Sequence, residues 1–275
     1  MSKYFPLAIL MLVLSCTNSY PKKQTEIAVP KEEIKAEFHR ILDSANVRGA
    51  ILIYDLQANT YYSNEYDWAK TERLPASTFK IPHSIIGLET ALLEDDSAMF
   101  YWDKKPRTFA SWEQDLSLKN AFHYSCVPCY QELARKIGLK RMKEQLAKLN
   151  FGQMQVDSSN LDLFWLEGNS KISQFEQIDF LKRFYQDQLP ITARTKEIMS
   201  RMMIITQQEG ETLRGKTGWA MRNGDNNGWF VGYLENKDKT YFFATNIVPK
   251  EGLEKDKFTA ARKETTLKAI DLLRR

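Results

Sequence analysis

Apolar and polar positions along this chain follow two different periods, and the switches between them mark its elements. Residues 31–46 place Ile34, Phe38, Ile41 and Leu42 at helical spacing and predict an amphipathic helix. Residues 48–55 then run almost continuously apolar through Ala50, Ile51, Leu52, Ile53 and Tyr54. With 60–63 they predict two strands joined by a turn at Gln57-Ala58-Asn59. The helical period returns at Ser77, where Ile81, Ile85, Ile86, Leu88, Leu92 and Leu93 form one buried face. From Ser77 to about Met203 the chain reads as mostly helical with long loops, including an amphipathic helix over 130–149. Strand patterns resume at 212–219, 228–234 and 240–246, with a hairpin turn at 236–239, and a helix over about 257–274 closes the chain.

Strands at both ends with helices between them predict a mixed α/β (α+β) fold. An antiparallel sheet is built from both chain ends and flanked by helices, and a helical subdomain is inserted at about 77–203. A cleft between two such lobes is the expected place for a site.

The first residues have a different character. Lys3 precedes the apolar run Leu7–Leu14, which is too short to span a bilayer and reads as a signal peptide over 1–15. Leu14-Ser15-Cys16 resembles a bacterial lipobox, in which Cys16 is lipidated and becomes the mature N-terminus; the alternative is a plain signal peptide with an incidental cysteine. Residues 16–30 then form a polar tether, and 31–275 the functional domain. On this reading the protein is a membrane-anchored lipoprotein facing the bacterial periplasm.

The remaining composition narrows the chemistry. A chain of 275 residues, 43% hydrophobic, can bury a sizeable core. Its net charge of +4 is dispersed, with no basic run or basic helix face, which argues against nucleic acid. His39, His83 and His123 lack metal-ligand spacing, so no metal site is expected, and each reads as a surface or core histidine. Cys126 and Cys129 form a Cys-x-x-Cys pair without a surrounding βαβ pattern, which leaves a local disulfide or two free thiols.

Candidate catalytic residues then stand out. Ser77 and Lys80 are three apart at a helix start, where residues i and i+3 are neighbours. That puts a hydroxyl nucleophile beside an amine able to deprotonate it, at a terminus that favours developing negative charge. Pro82 is tolerated only near such a start. The spacing alone is weak, since Ser19 and Lys22 repeat it in a polar stretch. Lys216-Thr217-Gly218 on a candidate strand adds a cation, a hydroxyl and a backbone without side-chain bulk, suited to docking a carboxylate-bearing substrate against a strand edge.

In that order the motifs resemble the penicillin-recognising serine enzymes, specifically the class D (oxacillinase-type) β-lactamases, over residues 31–274. Ser77-Thr78-Phe79-Lys80 matches the nucleophile motif, Ser125-Cys126-Val127 the Ser-x-Val element, and Phe164-Trp165-Leu166-Glu167-Gly168 the tryptophan loop. Phe151-Gly152-Gln153 departs from the family's Tyr/Phe-Gly-Asn at its third position, which puts the hydrogen bonds of the neighbouring loop in question. The resemblance implies hydrolysis of the β-lactam amide bond through a serine acyl-enzyme, conferring β-lactam resistance. It makes Ser77 the nucleophile and Lys80 the general base, N-carboxylated by carbon dioxide or bicarbonate, with no other cofactor. Trp165 would hydrogen-bond the carbamate and Val127 pack beside it. Ser125 would relay a proton to the departing nitrogen. The backbone N–H groups of Ser77 and Trp219 would form the oxyanion hole, while Lys216, counted with Ser77, Lys80 and Ser125 as catalytic, would join Thr217, Gly218 and Arg262 in binding the substrate carboxylate. If Cys126 pairs with Cys129, the first turn of that helix is locked.

β-Lactams are then the partners, with the protein a monomer or homodimer. The rival expectation is a β-lactam-sensing or penicillin-binding (transpeptidase-like) protein that acylates but deacylates slowly. Such sensors carry transmembrane helices, and no segment beyond the leader predicts one.

Overall fold

The computed structural model describes Met1, residues 29–221 and residues 226–274. The expected leader and Cys16, with most of the tether, lie outside the described residues.

The first described elements are an edge strand β1 (Lys31–Ile34), helix α1 (Ala36–Ser44) and the hairpin β2 (Val47–Asp55) and β3 (Thr60–Ser63). After α2 (Tyr66–Lys70), a single 3-10 turn at Ala76–Phe79 leads into α3 (Lys80–Glu89). Two short strands, β4 (Met99–Phe100) and β5 (Leu116–Ser117), precede α4 (Leu118–His123), α5 (Val127–Ile137), α6 (Leu139–Leu149), α7 (Gln174–Tyr185) and α8 (Ala193–Met202). The chain ends in β6 (Ile204–Gln208), β7 (Glu211–Ala220), β8 (Asn227–Glu235), β9 (Thr240–Pro249) and α9 (Lys255–Leu273).

Seven strands form one sheet in the order β1-β3-β2-β9-β8-β7-β6, so the first hairpin is completed by the last strands of the chain, as the strand pattern predicts. The near-continuous apolar runs of β2, β8 and β9 follow from burial on both faces. Alternate residues divide between two cores. Ala50, Leu52, Tyr54, Trp229, Val231, Tyr233, Phe242 and Ala244 join the core under the helices of the middle of the chain. Ile51, Ile53, Phe230, Phe243 and Ile247 meet Phe38 and Leu42 of α1 and Phe258, Ala261 and Ile270 of α9 on the other face.

Three local expectations are corrected. Residues 31–34 are a strand rather than the start of a helix, and they pair parallel to β3, so the sheet is antiparallel except at this edge. All four of their side chains are exposed, so a helical stripe there would bury nothing. The backbone instead satisfies the open edge of β3, through Lys31 N–H to Asn59 O at 3.0 Å and Lys35 N–H to Ser63 O at 2.8 Å. The helix expected over 130–149 is two helices, broken at Gly138, whose φ of 76° is costly for any side-chain-bearing residue. Strand β6 is polar and mostly exposed, so no apolar alternation betrays it. The signal that could have found it is Glu209-Gly210, a two-residue hairpin turn with both φ angles positive, 50° and 79°.

Candidate active site

The turn carrying Ser77 is fixed by groups from three other elements. Ala76 sits at φ 49°, a left-handed conformation that L-residues adopt at a cost and that aims the next residue outward from the regular helix. Thr78 donates to Pro75 O through its N–H at 3.2 Å and its hydroxyl at 2.8 Å. Gln177 of α7 donates to Thr78 Oγ1 at 2.8 Å, and the Trp229 indole of β8 donates to Leu74 O at 2.9 Å. β7 closes the other side: a Cβ on Gly218 would stand 3.1 Å from Pro75 O and 3.2 Å from Thr78 N, so a side chain there would press the strand away from the turn by a few tenths of an ångström. Strand β6 pairs with β7 only as far as Arg214, and Gly215 N–H still reaches Met203 O at 2.9 Å. Beyond that, among the described residues, residues 216–220 have no strand on this side.

Lys80 enters one turn after Ser77, and its Nζ lies 3.1 Å from Ser77 Oγ, as the i, i+3 spacing predicts. The lysine is fully buried. Phe79, Phe151, Phe164 and Trp165 pack ring against ring beside it, and Nζ sits 4.8 Å from the centre of the Tyr130 ring. Burial in this aromatic box lowers the amine pKa to about 7. Among the described residues, the Trp165 indole N–H and both ring nitrogens of the His83 imidazole find no partner in the box. Tyr130 spends its hydroxyl on Ser84 Oγ at 2.6 Å.

Ser125 stands opposite, also left-handed at φ 54°, and its hydroxyl accepts a hydrogen bond from Lys216 Nζ. Lys216 also donates to Thr217 O at 3.0 Å. Burial, then the nearby positive charges of Lys80 and Arg262, hold its pKa well below the usual lysine value. Cys126 and Cys129 are disulfide-bonded, with Cα atoms 5.5 Å apart. The bridge spans the first turn of α5, directly after Ser125, and Val127 opens that helix. Arg262 reaches up from α9 beneath β7, donating from Nη1 to Gly218 O at 2.9 Å, with its guanidinium 5.5 Å from the centre of the Trp219 ring. It is 7% exposed, and burial lowers its pKa to about 10, which leaves it cationic at neutral pH.

The sequence candidates thus fall into two groups. Ser77, Lys80 and Trp165 share the aromatic box, and Ser125, Lys216, Thr217, Gly218, Trp219 and Arg262 line the β7 side. Gln153 stays apart from both. It donates to Glu72 Oε1 at 2.9 Å and pairs its backbone with Lys171, bracing the loop that carries Trp165. His39 and His123 are exposed, whereas His83 is a core histidine placed inside the lysine box. Tyr130 and His83 are the box residues that no motif flagged, although His83 stands one turn after Lys80 on the same helix.

This arrangement, a serine on a strained helix start, a buried lysine and an open strand edge carrying Lys-Thr-Gly, defines a serine acyl-transfer site of the penicillin-binding kind. Residues 45–270 match the penicillin binding protein transpeptidase domain. β-Lactamase OXA-48 of Klebsiella pneumoniae is 37% identical over 200 residues, covering 73% of this chain and 75% of the relative. The crystal structure of a class D β-lactamase from Sebaldella termitidis superposes with a TM-score of 0.84 at 34% identity, covering 90% of this chain and 98% of that one. The C-terminal domain of the Bacillus licheniformis BlaR penicillin-receptor superposes with a TM-score of 0.81 at 26% identity, covering 89% and 97%. The chain belongs to the class D β-lactamase family.

Proposed function

We propose that this chain hydrolyses the β-lactam amide bond through an acyl-enzyme on Ser77, with Lys80 as the base. The observation that carries it is the 3.1 Å contact between Lys80 Nζ and Ser77 Oγ, inside a box that draws the amine pKa to about 7. An ordinary lysine leaves about one amine in 2,500 neutral at pH 7, and a pKa near 7 leaves about half. Lys80 takes the hydroxyl proton as Ser77 Oγ attacks the ring carbonyl. The backbone N–H groups of Ser77 and Trp219 stabilise the oxyanion, each worth about 2.7–4 kcal/mol in comparable sites. Ser125 gives a proton to the departing nitrogen and recovers one from Lys216, which already donates to it. Lys216, Thr217, Gly218 and Arg262 hold the substrate carboxylate. A cationic guanidinium under the strand edge suits that role.

The box also fits a carboxylated Lys80. Its amine is neutral enough to react, and the Trp165 N–H is buried without a partner. Trp165 and Val127 would hold the added group, which would supply an anionic base for both acylation and the later attack of water. The leader suggests export, with Cys16 as a lipid anchor at the periplasmic face of the envelope.

The BlaR neighbour supports a second reading, a receptor that acylates and then stalls. No helix among the described residues is long and apolar enough to cross a membrane. A chromogenic cephalosporin time course separates the two: sustained turnover, faster with bicarbonate, is expected. A single stoichiometric burst would leave the receptor.

A further inference from the structure

The lysine box contains more polar chemistry than this reaction uses. His83 lies one turn beyond Lys80 on α3, is fully buried and, among the described residues, has no partner at either ring nitrogen. Its ring meets Trp165 edge to face at 5.0 Å and Tyr130 at 5.2 Å, and stands 5.4 Å from Phe79. An unbonded imidazole in such a place costs free energy that a leucine or phenylalanine would not. Two adjacent side chains with unused polar groups, Trp165 and His83, in the aromatic surroundings of a buried lysine, could both serve an added polar group there. Lys80 and Tyr130 are the titratable groups around this imidazole, and Tyr130 is engaged with Ser84. Burial, then the positive charge of Lys80, keeps the ring neutral, with one N–H and one lone pair.

We propose that His83 is a positioning residue for carboxylated Lys80, its N–H and that of Trp165 together holding the carbamate oxygens, directly or through one water. The inference rests on the carbamate reading above. Carboxylation joins the neutral Nζ to the carbon of carbon dioxide; one amine proton leaves to solvent, and the negative charge rests on the two oxygens. That anion replaces a charge that repels a histidine proton with one that attracts it, and gives both unused donors an acceptor.

The test uses the mature protein with ¹⁵N-labelled histidine rings, titrated with ¹³C-bicarbonate from a carbon dioxide-free start. The chain has only three histidines, and His39 and His123 are exposed, so the His83 signals are separable. A carbamate ¹³C signal should appear, and the His83 ring nitrogens should shift with the same bicarbonate dependence. His83→Phe should need about tenfold more bicarbonate for half-maximal carbamate, the loss of one charged hydrogen bond, whereas His83→Asn, which keeps an N–H donor, should remain within about threefold. A wild-type carbamate signal with unmoved His83 nitrogens would overturn the assignment of His83 and leave the carbamate reading standing, even if His83→Phe fails to fold. Equal bicarbonate demand in wild type and His83→Phe would do the same. A wild type with no carbamate signal at any bicarbonate concentration would overturn both.

Discussion

Two buried lysines, Lys80 and Lys216, share this site and live in opposite surroundings. Lys80 is enclosed by aromatic rings, and its amine donates to Ser77 Oγ. Lys216, 4% exposed, has Ser125 Oγ and Thr217 O as acceptors and lies in the field of Arg262. For Lys80 the whole lowering of the pKa comes from burial; for Lys216 two neighbouring cations add to it. The difference assigns the labour. A lysine boxed in by aromatic rings beside a hydroxyl can take a proton or react as an amine, whereas one tied to a hydroxyl and a carbonyl can pass a proton along. In the proposed reaction, base and relay are separated by environment rather than by residue type.

The largest effect should come from removing what Lys80 acts on. Ser77→Ala should lower kcat by more than about 10³-fold, with an unchanged melting temperature, in a steady-state assay. Ser125→Ala strikes the other lysine's partner. It should slow acylation by about 10²–10⁴-fold in single-turnover kinetics, and bicarbonate should not rescue it. A variant that bicarbonate rescued would erase the distinction between the two lysines.

Trp165→Phe keeps a ring beside Phe79 and His83 but removes the unpartnered N–H. It should raise the bicarbonate needed for half-maximal rate about tenfold. The smallest effect is on stability. A Lys80 pKa near 7 in the folded protein against 10.5 unfolded means that the unfolded chain binds more protons between those values. Stability should therefore rise with pH across that window, by an order of a few kcal/mol, and be lost as pH falls through 7. Denaturant melts in carbon dioxide-free buffer should show that this rise shrinks in Lys80→Met, while the share due to Lys216 remains.

Much of this was legible in the sequence, and the residues show why. The apolar runs of β2, β8 and β9 exist because both sheet faces are covered, so they are readable without knowing what covers them. Ser77 and Lys80 meet through local helix geometry, and local spacing is what a sequence displays. β1 and β6 escaped because polar edge strands are defined by the neighbour whose backbone they satisfy, which no local pattern records. The left-handed Ala76 and Ser125 escaped for a related reason: tertiary contacts impose a conformation that neither residue prefers. The spacing of His83 allows a surface or a core histidine; it is in the core, and only the folded box shows its nitrogens without partners among the described residues. Gln153, whose departure from the family asparagine puts the neighbouring loop's hydrogen bonds in question, bonds that loop through Lys171 and donates to Glu72.

The central claim, that burial makes Lys80 a neutral amine near pH 7, is tested most directly by titrating it. Protein carrying ¹³Cε-labelled lysine in carbon dioxide-free buffer, with the Lys80 signal assigned by its absence in Lys80→Met, should show a midpoint near pH 7. A midpoint at the ordinary lysine value of about 10.4 would contradict the account.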